Sequence, residues 1–141
     1  EIPKIGFKFF LWDQLRPILV EQNVRLDKIR NWSMSWTRDE LKEMINRRLS
    51  VYSNGKVKDL YSIADDGLTD FYDLVIDHAM LSPREIVHAL DAIFREHARH
   101  STQDTGVLIS RNSIDRGLDD YCMRRVGDLY PSDIIRAILL K

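Results

Sequence analysis

Leu81-Ser82-Pro83-Arg84-Glu85-Ile86-Val87 is the stretch on which the fold turns. Serine suits a helix N-cap because its hydroxyl accepts from a backbone amide that the first turn leaves unpaired. Proline suits the first helical position, where its missing N–H costs nothing and its φ is already helical. Glu85 stands three residues after Ser82, the spacing of a capping box. Beyond this start Ile86, Val87, Leu90, Ile93, Phe94 and Ala98 recur at helical spacing as one apolar stripe. The spacing predicts a helix over residues 83–100.

Upstream, Thr37-Arg38-Asp39-Glu40 has the same capping-box pattern, and Leu41, Met44, Ile45 and Leu49 follow at helical spacing. A helix is expected over residues 38–50, ended by Ser53-Asn54-Gly55. A short helix is expected over residues 57–64, then a break at Asp65-Asp66-Gly67. Thr69 or Asp70 opens the next helix, with Phe71, Leu74, Val75, Ala79 and Met80 on one side. Downstream, residues 101–106 form a polar connection and Val107-Leu108-Ile109 a short extended piece. Ser110 caps a helix carrying Ile114, Leu118, Tyr121, Cys122 and Val126. Pro131-Ser132-Asp133 breaks it and starts a last helix over residues 134–140.

The N-terminal part reads differently. Ile5, Phe7 and Phe9 alternate with Gly6 and Lys8, a strand pattern over residues 4–12. Asp13 caps a helix over residues 14–22 with Leu15, Ile18 and Leu19 on one face, and Pro17 falls early enough to be tolerated. A second short strand is expected near residues 29–34. The fold class is therefore mainly α, with one or two short β-strands near the N-terminus. The division expected is a strand-helix-strand segment over 1–36 and a helical domain over 37–141.

Composition narrows the function classes. With 141 residues, 44% hydrophobic and 30% charged, the chain has a globular balance and the length of one domain. A formal net charge of −1 gives no global pull towards nucleic acid or an anionic membrane. The single cysteine, Cys122, excludes an internal disulfide framework and suits a reducing, cytoplasmic setting. No apolar run approaches the ~20 residues that span a bilayer. The start Glu1-Ile2-Pro3-Lys4 has no hydrophobic signal region and reads as a cut end.

Several chemistries have no residues to carry them. A phosphate loop needs Gly, four residues, then Gly-Lys-Ser/Thr, so that backbone amides wrap the phosphates. Gly55-Lys56 is followed by Val57 and preceded at the required spacing by Ser50, so it is a turn. There is no His-Glu-x-x-His, no cysteine pair and no Gly-x-Ser-x-Gly. His97 and His100 lie one turn apart, but zinc asks for three or four ligands. With Arg99 they read as a helix end whose positive charge meets the negative end of the dipole.

Three stretches in order resemble the second half of a bacterial P-loop ATPase module of the AAA+/STAND/KAP type. Gly6-Phe7-Lys8-Phe9-Phe10-Leu11-Trp12 looks like a core strand. Val24-Arg25-Leu26-Asp27-Lys28-Ile29, with Ser35-Trp36 and then Glu40-Leu41 through Arg48-Leu49, is similar to a last core strand leading into a first lid helix. Leu81-Ser82-Pro83-Arg84-Glu85-Ile86-Val87 resembles the start of the lid helix that bears the second sensor arginine. Ile109-Ser110 with Ile114 and Leu118 resembles the piece that closes such lids.

The resemblance implies a helical, lid-like bundle. It implies that Arg84 senses the γ-phosphate, that Arg25 is a second candidate facing a neighbouring subunit, and that Asp13 is a candidate first sensor. Arg48 would be a structural ion-pair anchor. ATP and Mg²⁺ would be held only together with a core segment that carries the phosphate loop and the Mg²⁺-binding acids. No residue of this chain would be catalytic by itself. Partners would be that core, an oligomer or an effector protein, in bacterial signalling or phage defence.

Blander readings fit the same residues. An arginine at the second helical position is usually solvated or ion-paired, and the aromatic cluster Phe7, Phe9, Phe10, Trp12, Trp32 and Trp36 is most simply core. A helix-turn-helix reading of the last helices draws on Arg111, Arg116, Arg124, Arg125 and Arg136. It is opposed by Asp115, Asp119, Asp120, Asp128 and Asp133 among them. A helical protein-interaction module is the third alternative.

Overall fold

A computed structural model describes residues 10, 15–28, 30, 32–100 and 106–129. The chain divides between Ser35 and Trp36 into two units.

In the first unit, α1 spans Leu15–Glu21 and a single 3-10 turn spans Leu26–Lys28. Asn23, at φ 59, turns the chain out of α1, a left-handed position in which asparagine is enriched. None of this unit's described residues is buried. The strand expected near residues 29–34 is not formed at residues 30 and 32–34. A strand needs a neighbouring backbone to take its N–H and C=O groups, and no ladder reaches this segment among the described residues. Trp32 and Met34 are 74% and 80% exposed, and the Arg30 guanidinium lies 4.8 Å over the Trp32 ring. Of the strand expected over residues 4–12 only Phe10 is described, exposed and outside any regular element. The remainder lies outside the described residues.

The second unit is mainly helical: α2 Arg38–Tyr52, α3 Phe71–His78, α4 Pro83–His100 and α5 Arg111–Leu129. Both halves of the capping box form at α2. The Thr37 hydroxyl accepts from the Glu40 amide at 3.3 Å, and a Glu40 carboxylate oxygen accepts from the Thr37 amide at 2.8 Å. Those bonds, the backbone one first, hold the Glu40 carboxyl below its usual range. Asn54 and Gly55 then take φ of 53° and 78° and reverse the chain.

Where a helix was expected over residues 57–64, only a 3-10 turn at Tyr61–Ile63 forms. The amides a helix would use are taken elsewhere. Leu60 N–H donates to the Tyr72 hydroxyl at 2.9 Å, and Ser62 N–H donates to Asp59 Oδ1 at 2.8 Å. Ala64 is extended and pairs in parallel with Ile109. Asp65 N–H reaches the Ile109 carbonyl at 3.0 Å, and Ile109 N–H reaches the Ile63 carbonyl at 2.8 Å. The extended piece expected at 107–109 is thus held by the segment before α3.

The core joins Leu41 and Ile45 of α2, Phe71, Val75 and Ile76 of α3, Ile86, Ala89 and Ile93 of α4, and Ile114, Leu118 and Tyr121 of α5. Met80, expected on the buried side of α3, is instead 86% exposed. The helix ends at His78, and Met80 and Leu81 both take left-handed φ, so Tyr72 and Ile76 fill the inward positions. Ala98 also faces solvent. At α4 the capping box is only half made. Ser82 Oγ accepts from the Glu85 amide at 3.5 Å, but the Glu85 carboxylate turns to α5. It accepts from the Tyr121 hydroxyl at 3.1 Å and pairs with Arg125 Nε at 3.0 Å. The break at Pro131 and the last helix expected over 134–140 lie outside the described residues. No helix among the described residues is long and apolar enough to cross a membrane.

Candidate functional site

Arg84 is the second residue of α4, straight after Pro83. His88 follows one turn later, the spacing that places side chains on one face of a helix. Arg48 comes from the last turns of α2. These three side chains, with Pro83 and Val87, line a shallow concavity of about 360 Å³. The first-turn amides and the helix dipole favour an anion at the α4 N-terminus.

A second concavity, of about 200 Å³, shares Arg84 and His88 with the first and is otherwise walled by α5. Its two α5 arginines are already matched. Glu85 holds Arg125 at 3.0 Å, and Arg124 is held by Asp120 at 2.8 Å. Burial, with the Glu85 carboxylate beside it, pushes the Tyr121 phenol up to about 12. The first concavity has no carboxylate in its lining.

The contrast extends over the described residues of the second unit. Arg38 pairs with Asp73 and Asp77, Arg47 with Glu43, and Arg95 with Asp91. Arg99 and Arg116 meet Glu96, and Arg111 meets Asp70 and Asp115. Arg124 and Arg125 are paired as described. Among the described residues of this unit, Arg48 and Arg84 are the arginines without a carboxylate partner, and the fold puts them on the same concavity.

The chain matches no family model, no curated protein and no solved structure.

The residues expected at a site are therefore placed by geometry alone. Arg84 and Arg48 come together, and Arg48 has none of the ion pairs expected of an anchor among the described residues. Arg25 is in the first unit, where its guanidinium makes a two-pronged contact with Asp27 at 3.0 and 2.9 Å. Asp13 lies outside the described residues. His88 was not singled out in the sequence, although its distance of one turn from Arg84 could have pointed to it.

Other titratable groups are committed to packing. His97 Nε2 meets the Val107 carbonyl at 3.1 Å, and His100 Nε2 meets Glu96 Oε1 at 3.0 Å. Among the described residues no cluster of three or more His, Cys, Asp or Glu side chains is placed to hold a metal ion. Burial, with Asp119 nearby, pushes the Cys122 thiol up, which keeps it protonated and poorly nucleophilic.

Proposed function

We propose that the chain is a nucleotide-sensing lid segment of a P-loop ATPase, with Arg84 as the residue that reads the terminal phosphate. The observation that carries this reading is the exposed guanidinium of Arg84 at the first turn of α4, without a carboxylate partner among the described residues and on a concavity lined by no carboxylate. A guanidinium offers forked donors that match phosphate oxygens, and charge-assisted bonds of this kind are the strong ones. The helix N-terminus adds a favourable field for the same anion. The ordered sequence resemblance around residues 6–12, 24–49 and 81–87 supports the assignment to this class.

The phosphate loop and the Mg²⁺-binding acids belong to a partner core in this reading, since no such loop occurs in the sequence. Loss of the terminal phosphate would release Arg84 and let the lid change its position on the core, a switch driven by one electrostatic contact. ATP turnover by the assembled ATPase, with and without Arg84→Ala, tests the proposal. The expected loss is on the order of 10²-fold, as for removal of a key charge-stabilising donor, with the circular dichroism of the helices unchanged. Unaltered turnover in the Arg84→Ala protein overturns it.

A further inference from the structure

The sequence alone offered Arg48 only a structural role, and the fold places it differently. From α2 it lines the same concavity as Pro83, Arg84, Val87 and His88 of α4. Every other described arginine of the second unit is spent on a carboxylate, including Arg47 directly before Arg48 in α2. A surface that neutralises its arginines so consistently leaves a pair of them open at one place. Like charges brought together without a counter-ion repel, so the arrangement is relieved by an anion that carries more than one charge.

We propose that Arg48 and Arg84 form a two-helix clamp for a single phosphate group bearing two negative charges, with His88 as a third donor at its rim. Arg48 is thus a binding residue of the site, reaching from α2 while Arg84 reaches from α4. Because a phosphate held in this way bridges α2 and α4, its arrival stiffens one against the other, which is the property a phosphate sensor needs. The clamp itself follows from the two unpaired arginines; the identification of its phosphate as that of a nucleotide rests on the lid reading above.

The test needs no ATPase core. The 141-residue chain is titrated with inorganic pyrophosphate at low ionic strength, where exposed charges are least screened. Backbone amide and arginine Nε–H resonances are followed by NMR. The wild type is compared with Arg48→Gln, Arg84→Gln, the double variant, and Arg95→Gln, whose guanidinium on α4 is tied to Asp91 at 2.9 Å. The expected result is saturable binding with shifts at Arg48, Arg84 and His88. Each single clamp variant weakens it on the order of tenfold, as for loss of one charge-assisted contact. The double variant abolishes saturation, and Arg95→Gln leaves affinity unchanged. The amide spectrum of each variant reports that the fold is kept.

The clamp is overturned if Arg48→Gln binds as the wild type does, or if Arg95→Gln weakens binding as much as Arg48→Gln. It is also overturned if an oligoglutamate peptide shifts these resonances while pyrophosphate does not, since the surface then receives an acidic protein segment. A positive titration with unchanged ATP turnover in Arg84→Ala keeps the clamp and removes the lid reading. A negative titration with lost turnover does the reverse.

Discussion

Tyr121 shows how much a single side chain carries in this fold. Its ring is buried, and its hydroxyl donates to Glu85, so α5 and the first turn of α4 are joined by one phenol. Burial first, and Glu85 second, raise its folded value from 10.0 to about 12. The neutral phenol is the form the fold favours. Its contribution is fully present below pH 10 and is lost as pH rises towards 12. The difference in phenolate absorbance between wild type and Tyr121→Phe should therefore have its midpoint near 12, or coincide with alkaline unfolding. A midpoint near 10 would mean that the ring is wet and the Glu85 bond absent. The inward place of Tyr121 was legible in the spacing of its helix; its bond to Glu85 was not. Glu85 lies three residues after Ser82 and reads as half of a capping box; its actual partners stand far downstream on α5.

At the scale of elements, the crossing of α4 and α5 depends on Gly117. A Cβ at that position would lie 2.5 Å from the Ile93 Cα and 2.8 Å from its amide nitrogen, so only glycine lets the two backbones come so close. Alanine is the better helix former by roughly 1 kcal/mol, and in isolation Gly117→Ala would strengthen α5. Here the clash is with backbone and should decide the sign, with a net destabilisation of ~1–3 kcal/mol, the usual range for overpacking a tight contact. Gly127→Ala on the same helix is the counter-experiment. Beyond its chain neighbours and the backbone of its own helix, no described atom lies within 4 Å of a Cβ there, and the change should be neutral or stabilising by about 0.5–1 kcal/mol. Urea unfolding of the two variants against wild type measures both. Equal effects of like sign would show that propensity, not the α4–α5 approach, governs α5.

At the scale of the whole molecule, burial among the described residues is confined to one unit. The buried residues run from Leu41 to Tyr121, and none of the described residues before Trp36 is among them. A unit that holds its own core can fold by itself. A fragment of residues 36–141 should therefore melt in one cooperative transition, within a few degrees of the full chain, when the helix signal and the near-ultraviolet dichroism of the buried Tyr72 and Tyr121 are followed together. Non-coincident transitions would show that residues 1–35 contribute to the core. The same fragment keeps Arg48, Arg84 and His88, so its pyrophosphate titration should match that of the full chain.

The sequence by itself determined where the long helices begin. Thr37 and Glu40, Ser82 and Pro83, and Ser110 act within one turn of backbone, through hydrogen bonds whose partners are a few residues away. It also determined most inward faces, because a periodicity of about 3.6 residues sorts apolar from polar side chains before any packing occurs. The tertiary structure decided the rest. It reduced the helix expected over residues 57–64 to a 3-10 turn at Tyr61–Ile63, because the Tyr72 hydroxyl and Asp59 capture amides of this segment, and it paired Ala64 with Ile109. It drew the Glu85 carboxylate from its own helix start to Tyr121 and Arg125. It also set Arg48 on the same concavity as Arg84, although the two exposed residues lie far apart along the chain. Which charges are matched and which are left open depends on how α2, α4 and α5 pack, and that packing is a sum of contacts between residues far apart in sequence.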